Sequence, residues 1–207
     1  MKRIIIFTLS LLVAVGLSTR IWYVNTHVDP QFTPPKTEIY QMGEWVELDG
    51  DFQFSADEST KGYAVKLENI EFMSSKDYAA RYGLELSAFY SLDDTLPEFV
   101  ADLTLNFRNT GNDEGYIQFV YYCIYSEKDL RFYPLADVNA LLHPEMSDKL
   151  GFKIYPGTES GPNHFCLISA VEATGAVTGN SKNFPKYLQI SMTPTRKVIE
   201  IPELNIS

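Results

Sequence analysis

The residues of this chain whose types can do chemistry are few and scattered. The histidines are His27, His143 and His164, and the cysteines are Cys123 and Cys166. A Ser-His-Asp relay needs a histidine beside an activated serine, and no nucleophile-elbow pattern carries one. His27 lies in a proline-rich stretch, while His143 and His164 read as surface or turn residues. A thiol nucleophile would pair Cys123 or Cys166 with His164. Cys123, however, sits among Tyr121, Tyr122, Ile124 and Tyr125, and apolar surroundings push a thiol pKa up, away from the thiolate. Both cysteines fall in predicted strands, which leaves a disulfide or two small buried hydrophobes. No CxxC pair or Cys/His cluster has the spacing of a zinc site. Asp49, Asp51, Asp57 and Glu58 lack the spacing of a calcium loop and read as solvated turn residues. Asp93-Asp94 and Asp113-Glu114 read the same way, and no glycine-rich phosphate loop follows a strand. The expectation is a protein that is not an enzyme and has no cofactor or metal.

The elements that must position these residues are strands. Phe99, Ala101, Leu103, Leu105 and Phe107 recur at every second position, with Asp102, Thr104, Asn106 and Arg108 between them. A period of two puts the sets on opposite faces of a strand, one buried and one wet. Asn109 to Gly115 is rich in turn residues. Tyr116 to Tyr125, rich in Tyr, Ile, Phe and Val, reads as a second strand. The pattern predicts a long hairpin from Phe99 to Ser126 at the centre of the domain. Its second strand is apolar on both faces. Ile117, Phe119, Tyr121 and Cys123 form one row. Tyr116, Val120, Tyr122 and Ile124 form the other, which Gln118 marks as outer. Either the segment Leu135 to Leu142 covers that outer row, or Tyr116, Val120, Tyr122 and Ile124 are an exposed partner-binding patch.

Further strand candidates run Tyr40 to Leu48, Gly62 to Met73, Phe152 to Tyr155, His164 to Val171, Tyr187 to Thr193 and Lys197 to Ile201. The apolar phase slips within the second of these, which predicts a bulge at Glu68-Asn69. Ser74 caps a short helix with Asp77 at its third position, and Gly83 stops it. Pro134 to His143 is a second short helix or an irregular crossing, and Pro156-Gly157 is a type II turn signal. Seven or eight strands with turns between them predict a sandwich or barrel, not a parallel α/β sheet.

The chain has 207 residues, 45% hydrophobic and 21% charged, which suits one globular domain with a full core. Its net charge is −10, and three of its 17 lysines and arginines, Lys2, Arg3 and Arg20, lie in or beside an N-terminal apolar segment that carries no acidic residue, so the body is more acidic still. So acidic a body repels phosphates, and no nucleic-acid partner is expected. Ile4 to Leu17 is apolar without charge, and Ile21 to Val24 resumes the run after Arg20. A signal peptide cleaved near Ser18 would leave a secreted protein. A retained anchor from Ile4 to Val24 would span the membrane, with Trp22 and Tyr23 at the outer interface. The resumption favours the anchor, with Lys2 and Arg3 cytoplasmic and the body outside. Residues 1–24 are then the signal anchor, 25–37 an extended proline-bearing stalk, and 38–207 the β domain.

Several pieces, taken in order, carry a family resemblance. They are Tyr40-x-x-Gly43-Glu44-x-Val46, Gly62-Tyr63-x-Val65, the Phe99–Phe107 strand, Tyr155-Pro156-Gly157-Thr158-Glu159, Leu188-x-Ile190 and Lys197-x-Ile199-x-Ile201. The body resembles the telokin-like, immunoglobulin-like domains of uncharacterised Gram-positive cell-surface proteins, and most of all a clostridial family of about this length. The resemblance implies an all-β, antiparallel immunoglobulin-like β-sandwich of seven or eight strands with one or two short helices, after an N-terminal apolar helix. It brings no catalytic residues. The function expected is a membrane-tethered, non-catalytic module that binds an envelope protein or acts structurally. The alternative is a module that binds an envelope glycan or polymer, motivated by the chain's 13 tyrosines and two tryptophans.

Overall fold

The computed structural model describes residues 18–20, 35–90, 96–126, 131–145, 151–169 and 185–202. The chain divides into two compact units, Met1–Pro34 and Pro35–Ser207. In the first, residues 18–20 are helical; the rest of the expected anchor and stalk, up to residue 34, lies outside the described residues. Among the described residues no helix is long and apolar enough to cross a membrane.

The second unit is mostly β. Its strands are β1 (Lys36–Gln41), β2 (Val46–Glu47), β3 (Tyr63–Ser74), β4 (Phe99–Asn109), β5 (Ile117–Gln118), β6 (Cys123–Tyr125), β7 (Arg131–Pro134), β8 (Gly151–Phe152), β9 (Thr158–Ser169), β10 (Tyr187–Gln189) and β11 (Thr195–Glu200). Among the described residues two short α-helices accompany them, α1 (Ser75–Tyr82) and α2 (Ala136–Leu142). Nine strands form one sheet in the order β1-β11-β10-β6-β7-β9-β4-β3-β2, and β5 pairs with β8 apart from it. The first and last strands run parallel, and the other pairs are antiparallel, so the sheet is mixed.

This corrects the expected antiparallel sandwich. The sheet's edge strands β1 and β2 are consecutive in the chain, joined by a turn in which Gly43 N–H donates to Leu67 O of β3 at 2.8 Å. The sheet thereby coils until it nearly closes into a barrel around one core. Lys197 of β11 secures the closure from inside. Its ammonium donates to the carbonyls of Glu47 at 2.6 Å and Leu48 at 3.2 Å, and pairs with Asp51 at 2.8 Å. The strand expected from Tyr40 to Leu48 is therefore two strands. The first begins at Lys36, within the stalk expected to run to residue 37.

The expected central hairpin is also corrected. β4 pairs with β3 and β9, not with the segment that follows it. The Asn109–Gly115 turn is tied sideways instead. Asn112 Nδ2 donates to Ser59 O and Lys61 O, and Asn109 Nδ2 to Ile154 O. A Cβ at Gly115 would lie 2.0 Å from Ser59 O, so only glycine allows that approach. A 3-10 turn at Phe119–Tyr121 then breaks the supposed second strand into β5 and β6.

The bulge in β3 falls between Leu67 and Asn69, where the phase slip places it. Ser74 caps α1 by accepting from Asp77 N, and Gly83 ends it at φ 65°. Inward residues of β3, β4 and β9, among them Val65, Leu67, Leu103, Leu105, Phe107 and Phe165, build the barrel core with Val46, Ile124, Leu188 and Ile199. The outer face of β4 and β9 is covered as well. Val100 and Cys166 pack with Tyr78 and Ala79 of α1, Val138 of α2 and Phe89. The row expected to be wet is thus buried at Asp102, which is 3% exposed beneath α1.

Candidate functional site

Polar side chains converge at the mouth of the barrel beside β9. Cross-strand partners share a face of the sheet. Phe165 pairs with Leu103 and Asn163 with Leu105, so both point inward. Gly161 and Pro162 then stand against Asn106 alone, a bulge, and Ser160 pairs with Phe107. Gly161 is needed there, because its φ is 139° and an added Cβ would lie 2.2 Å from Asn106 Oδ1. The bulge turns Ser160 inward again. Along the inner face of β9, apolar Leu167 and Phe165 thus give way to polar Asn163 and Ser160.

Helix α2 supplies the next wall, for a reason visible in the ladder. β7 pairs with β9 only from Ser169 to Leu167 and stops at Pro134. Beyond that point the edge of β9 carries unpaired backbone groups. Asn139 and His143, one helical turn apart, satisfy them. Asn139 Oδ1 accepts from Cys166 N at 2.8 Å, and its Nδ2 donates to Cys166 O at 2.8 Å. His143 Nε2 is 2.7 Å from His164 O, a carbonyl, so this nitrogen carries the hydrogen. Four helical residues rise about 6 Å and two strand residues about 6.6 Å, so the two side chains match the two rungs. His143 is thereby 8% exposed and stacks on Phe165, ring centroids 4.5 Å apart, which corrects its reading as a surface residue. Its Nδ1 lies 3.3 Å from Glu145 Oε1.

The opposite wall is residues 153–158. Lys153 Nζ donates to the Asp113 carbonyl. Thr158 N and Oγ1 both donate to Tyr155 O, at 3.1 and 2.6 Å, closing the expected turn with Gly157 at φ 75°. Tyr155, raised on that turn, is 82% exposed. These walls enclose an open groove of about 710 Å³, floored by Phe165 and Ile154 and lined by His143, Tyr155, Ser160 and Asn163.

A second polar cluster lies outside the barrel, under α1. Tyr82 donates its hydroxyl to the buried Asp102 at 2.6 Å, and Arg81 reaches Asp102 at 3.3 Å and Glu71 at 2.8 Å. Hydrogen bonding from Arg81 holds the Glu71 carboxyl below its ordinary pKa. Burial, and then the hydrogen bond to Asp102, push the Tyr82 hydroxyl up. His164 Nδ1 faces Asp102 Oδ1 and Thr104 Oγ1, both at 3.4 Å. The hydroxyl therefore approaches the same nitrogen as the carboxylate. A relay needs them on opposite nitrogens, so the cluster docks α1 and does not activate Thr104.

The four residues expected as a patch do not form one. Tyr122 is 1% exposed and Ile124 0%, both in the barrel core. Tyr116 and Val120 are half-buried. The 3-10 turn at Phe119–Tyr121 resets the alternation and rotates Tyr122 inward against Phe119. Nor does α2 cover Tyr122, because Val138 packs in the other cluster. Cys123 and Cys166 are free and buried, and burial pushes both thiols up. Among the described residues no group of three or more His, Cys, Asp or Glu is placed to hold a metal ion.

Sequence reading missed the groove because Gly161-Pro162 looks like the end of a strand. The turn at Tyr155 was the one signal pointing to it. No curated protein and no solved structure matches the chain. A family model described as a domain of unknown function matches residues 37–197, which holds both walls of the groove. That match spans most of the sequence, and the chain belongs to the DUF5028 family.

Proposed function

We propose that this chain is a non-catalytic binding module that meets its partner through the groove at the barrel mouth. The observation supporting this is the inward turn of Asn163 and Ser160 above Phe165. Polar side chains facing a barrel interior forgo core packing, and barrel mouths are frequent ligand sites. The polar cluster at Asp102 supports the non-catalytic reading, since its geometry serves the docking of α1. The setting proposed is the cell membrane, with Ile4 to Val24 as anchor and the body on the extracytoplasmic side. This follows from the apolar N-terminal run and from the ordered motifs that resemble clostridial, telokin-like surface domains. The test is a photo-crosslinking residue at position 155 of the full chain, compared with one at position 54, in cells that make the protein. An adduct at 155 alone is expected. No adduct at 155, or equal adducts at both, would overturn the reading.

A further inference from the structure

Three features outside the core invite an assignment. The Asp102–His164 cluster is occupied by its own docking contacts. Phe54, 68% exposed, stacks on Tyr121 with centroids 4.8 Å apart, but the carboxylate beside it, Glu58, is committed to the backbone amides of Gln53, Phe54 and Ser55. The groove has both an exposed ring and convergent polar groups.

We infer that the groove takes a short segment of an uncharged glycan, with Tyr155 as the platform for a sugar ring. The inference rests on the binding-module reading above and names its ligand class. A sugar has two kinds of surface. Its ring faces carry C–H groups that lie against an aromatic face, and its edges carry hydroxyls that both donate and accept. The groove offers the complement of each. Tyr155 stands 82% exposed on a turn that Gly157 N–H ties to Asn109 O at 2.8 Å, so the ring rides on a fixed backbone. A large aromatic group held in water at the rim of a polar groove is unspent contact surface.

The polar lining mixes donors and acceptors. Asn163 contributes an amide and Ser160 a hydroxyl, which is what a hydroxyl-rich ligand needs and an apolar peptide anchor does not. Asn163 Nδ2 reaches Ser160 Oγ and Leu105 O only loosely, both at 3.4 Å, leaving capacity for a ligand. His143 presents Nδ1 beside Glu145, because its Nε2 is committed to His164 O. The volume of about 710 Å³ lies within the usual range for small-ligand sites.

Charge decides between neutral and anionic glycans. Among the described residues, Asp113, Glu145 and Glu159 line the groove with one cation, Lys153, whose ammonium donates to the Asp113 carbonyl. The chain carries −10 overall, so uronates and phosphate-bearing polymers are repelled.

The experiment is an array of neutral, anionic and cationic oligosaccharides probed with the tagged full chain in detergent. Signal on neutral glycans is expected, falling at least tenfold in Tyr155→Ala and in Asn163→Ala and unchanged in Phe54→Ala. Circular dichroism of each variant checks that the fold persists. Signal confined to charged glycans, or signal indifferent to Tyr155→Ala, would overturn the inference. A silent array with a crosslink still formed at position 155 would sink the glycan assignment and leave the binding-module reading standing. A silent array with no crosslink would sink both.

Discussion

His143 and His164 are joined through the backbone of one and the ring of the other: His143 Nε2 lies 2.7 Å from the His164 carbonyl. With Asn139 on Cys166, this contact lets a helix complete the edge of a strand that its neighbour β7 no longer pairs. An edge satisfied by side chains lends itself to mutation one rung at a time.

Asn139→Leu should destabilise the domain by about 1–3 kcal/mol, the cost of a buried backbone group left without a partner. The orphan is the Cys166 N–H, because Cys166 O keeps its bond from Leu135 N at 3.0 Å. Urea denaturation gives the stability. Hydrogen exchange should quicken at the Cys166 amide while the Leu103 amide in β4 stays protected. Unchanged exchange at Cys166 would mean that α2 does not serve as the missing rung.

Lys197→Met removes the cation that closes the barrel and leaves Asp51, only 5% exposed, without its charge partner. The expected cost is about 3–5 kcal/mol. Among the described residues, the Asp51 carboxylate would keep only its bond from Thr195 N, at 2.9 Å. The double variant Lys197→Met/Asp51→Leu should recover part of the loss, since an apolar pair strands no charge. Additive losses measured by denaturation would show that the two residues act independently.

Tyr122→Phe should be neutral or stabilising. The Tyr122 hydroxyl is buried with no hydrogen-bond partner among the described residues, and burial pushes its pKa far up. Deleting a buried, unpaired polar atom leaves no second group stranded. A melting temperature lowered by several degrees would place a bound partner on that hydroxyl.

Cys123 and Cys166 should resist Ellman's reagent at neutral pH in the folded chain and react once urea unfolds it. Burial raises both thiol pKa values in the fold. The sign of the pH effect follows. A thiol whose pKa is raised by folding contributes its full stability below the unfolded pKa of about 9 and loses it as pH climbs toward the folded value. Stability should therefore fall above about pH 9, and less so in a Cys123→Ala/Cys166→Ala variant. An alkaline limb unaffected by removing the thiols would trace the loss to the tyrosines.

Local pattern carried a good part of this fold. The alternation from Phe99 to Phe107 gave β4 and its inward set, because a strand's faces are decided by neighbouring residues alone. The slip at Glu68-Asn69 located the β3 bulge, and Ser74 and Gly83 marked both ends of α1. Each is a rule about residues a few positions apart. The outer row of β4 was harder. Asp102 looked solvated by its alternation, but α1 folds back over it, and a pattern in one strand holds no record of what packs above.

By itself, then, the sequence determined a β-rich body, the strands β3 and β4, its first helix and its turns, through periodicity and capping chemistry, while β9, expected from His164, begins at Thr158. Tertiary structure alone decided which strands meet. β1 pairs with β11 across more than 150 residues, and β4, besides β3, pairs with β9 and not with the segment that follows it. It also decided that Tyr122 lies in the core and that Asn163 and Ser160 open a groove. Backbone hydrogen bonds are nearly alike in every pairing, so the partner is chosen by the whole set of buried side chains at once. That choice is a property of the closed barrel, and no window of sequence shorter than the domain contains it.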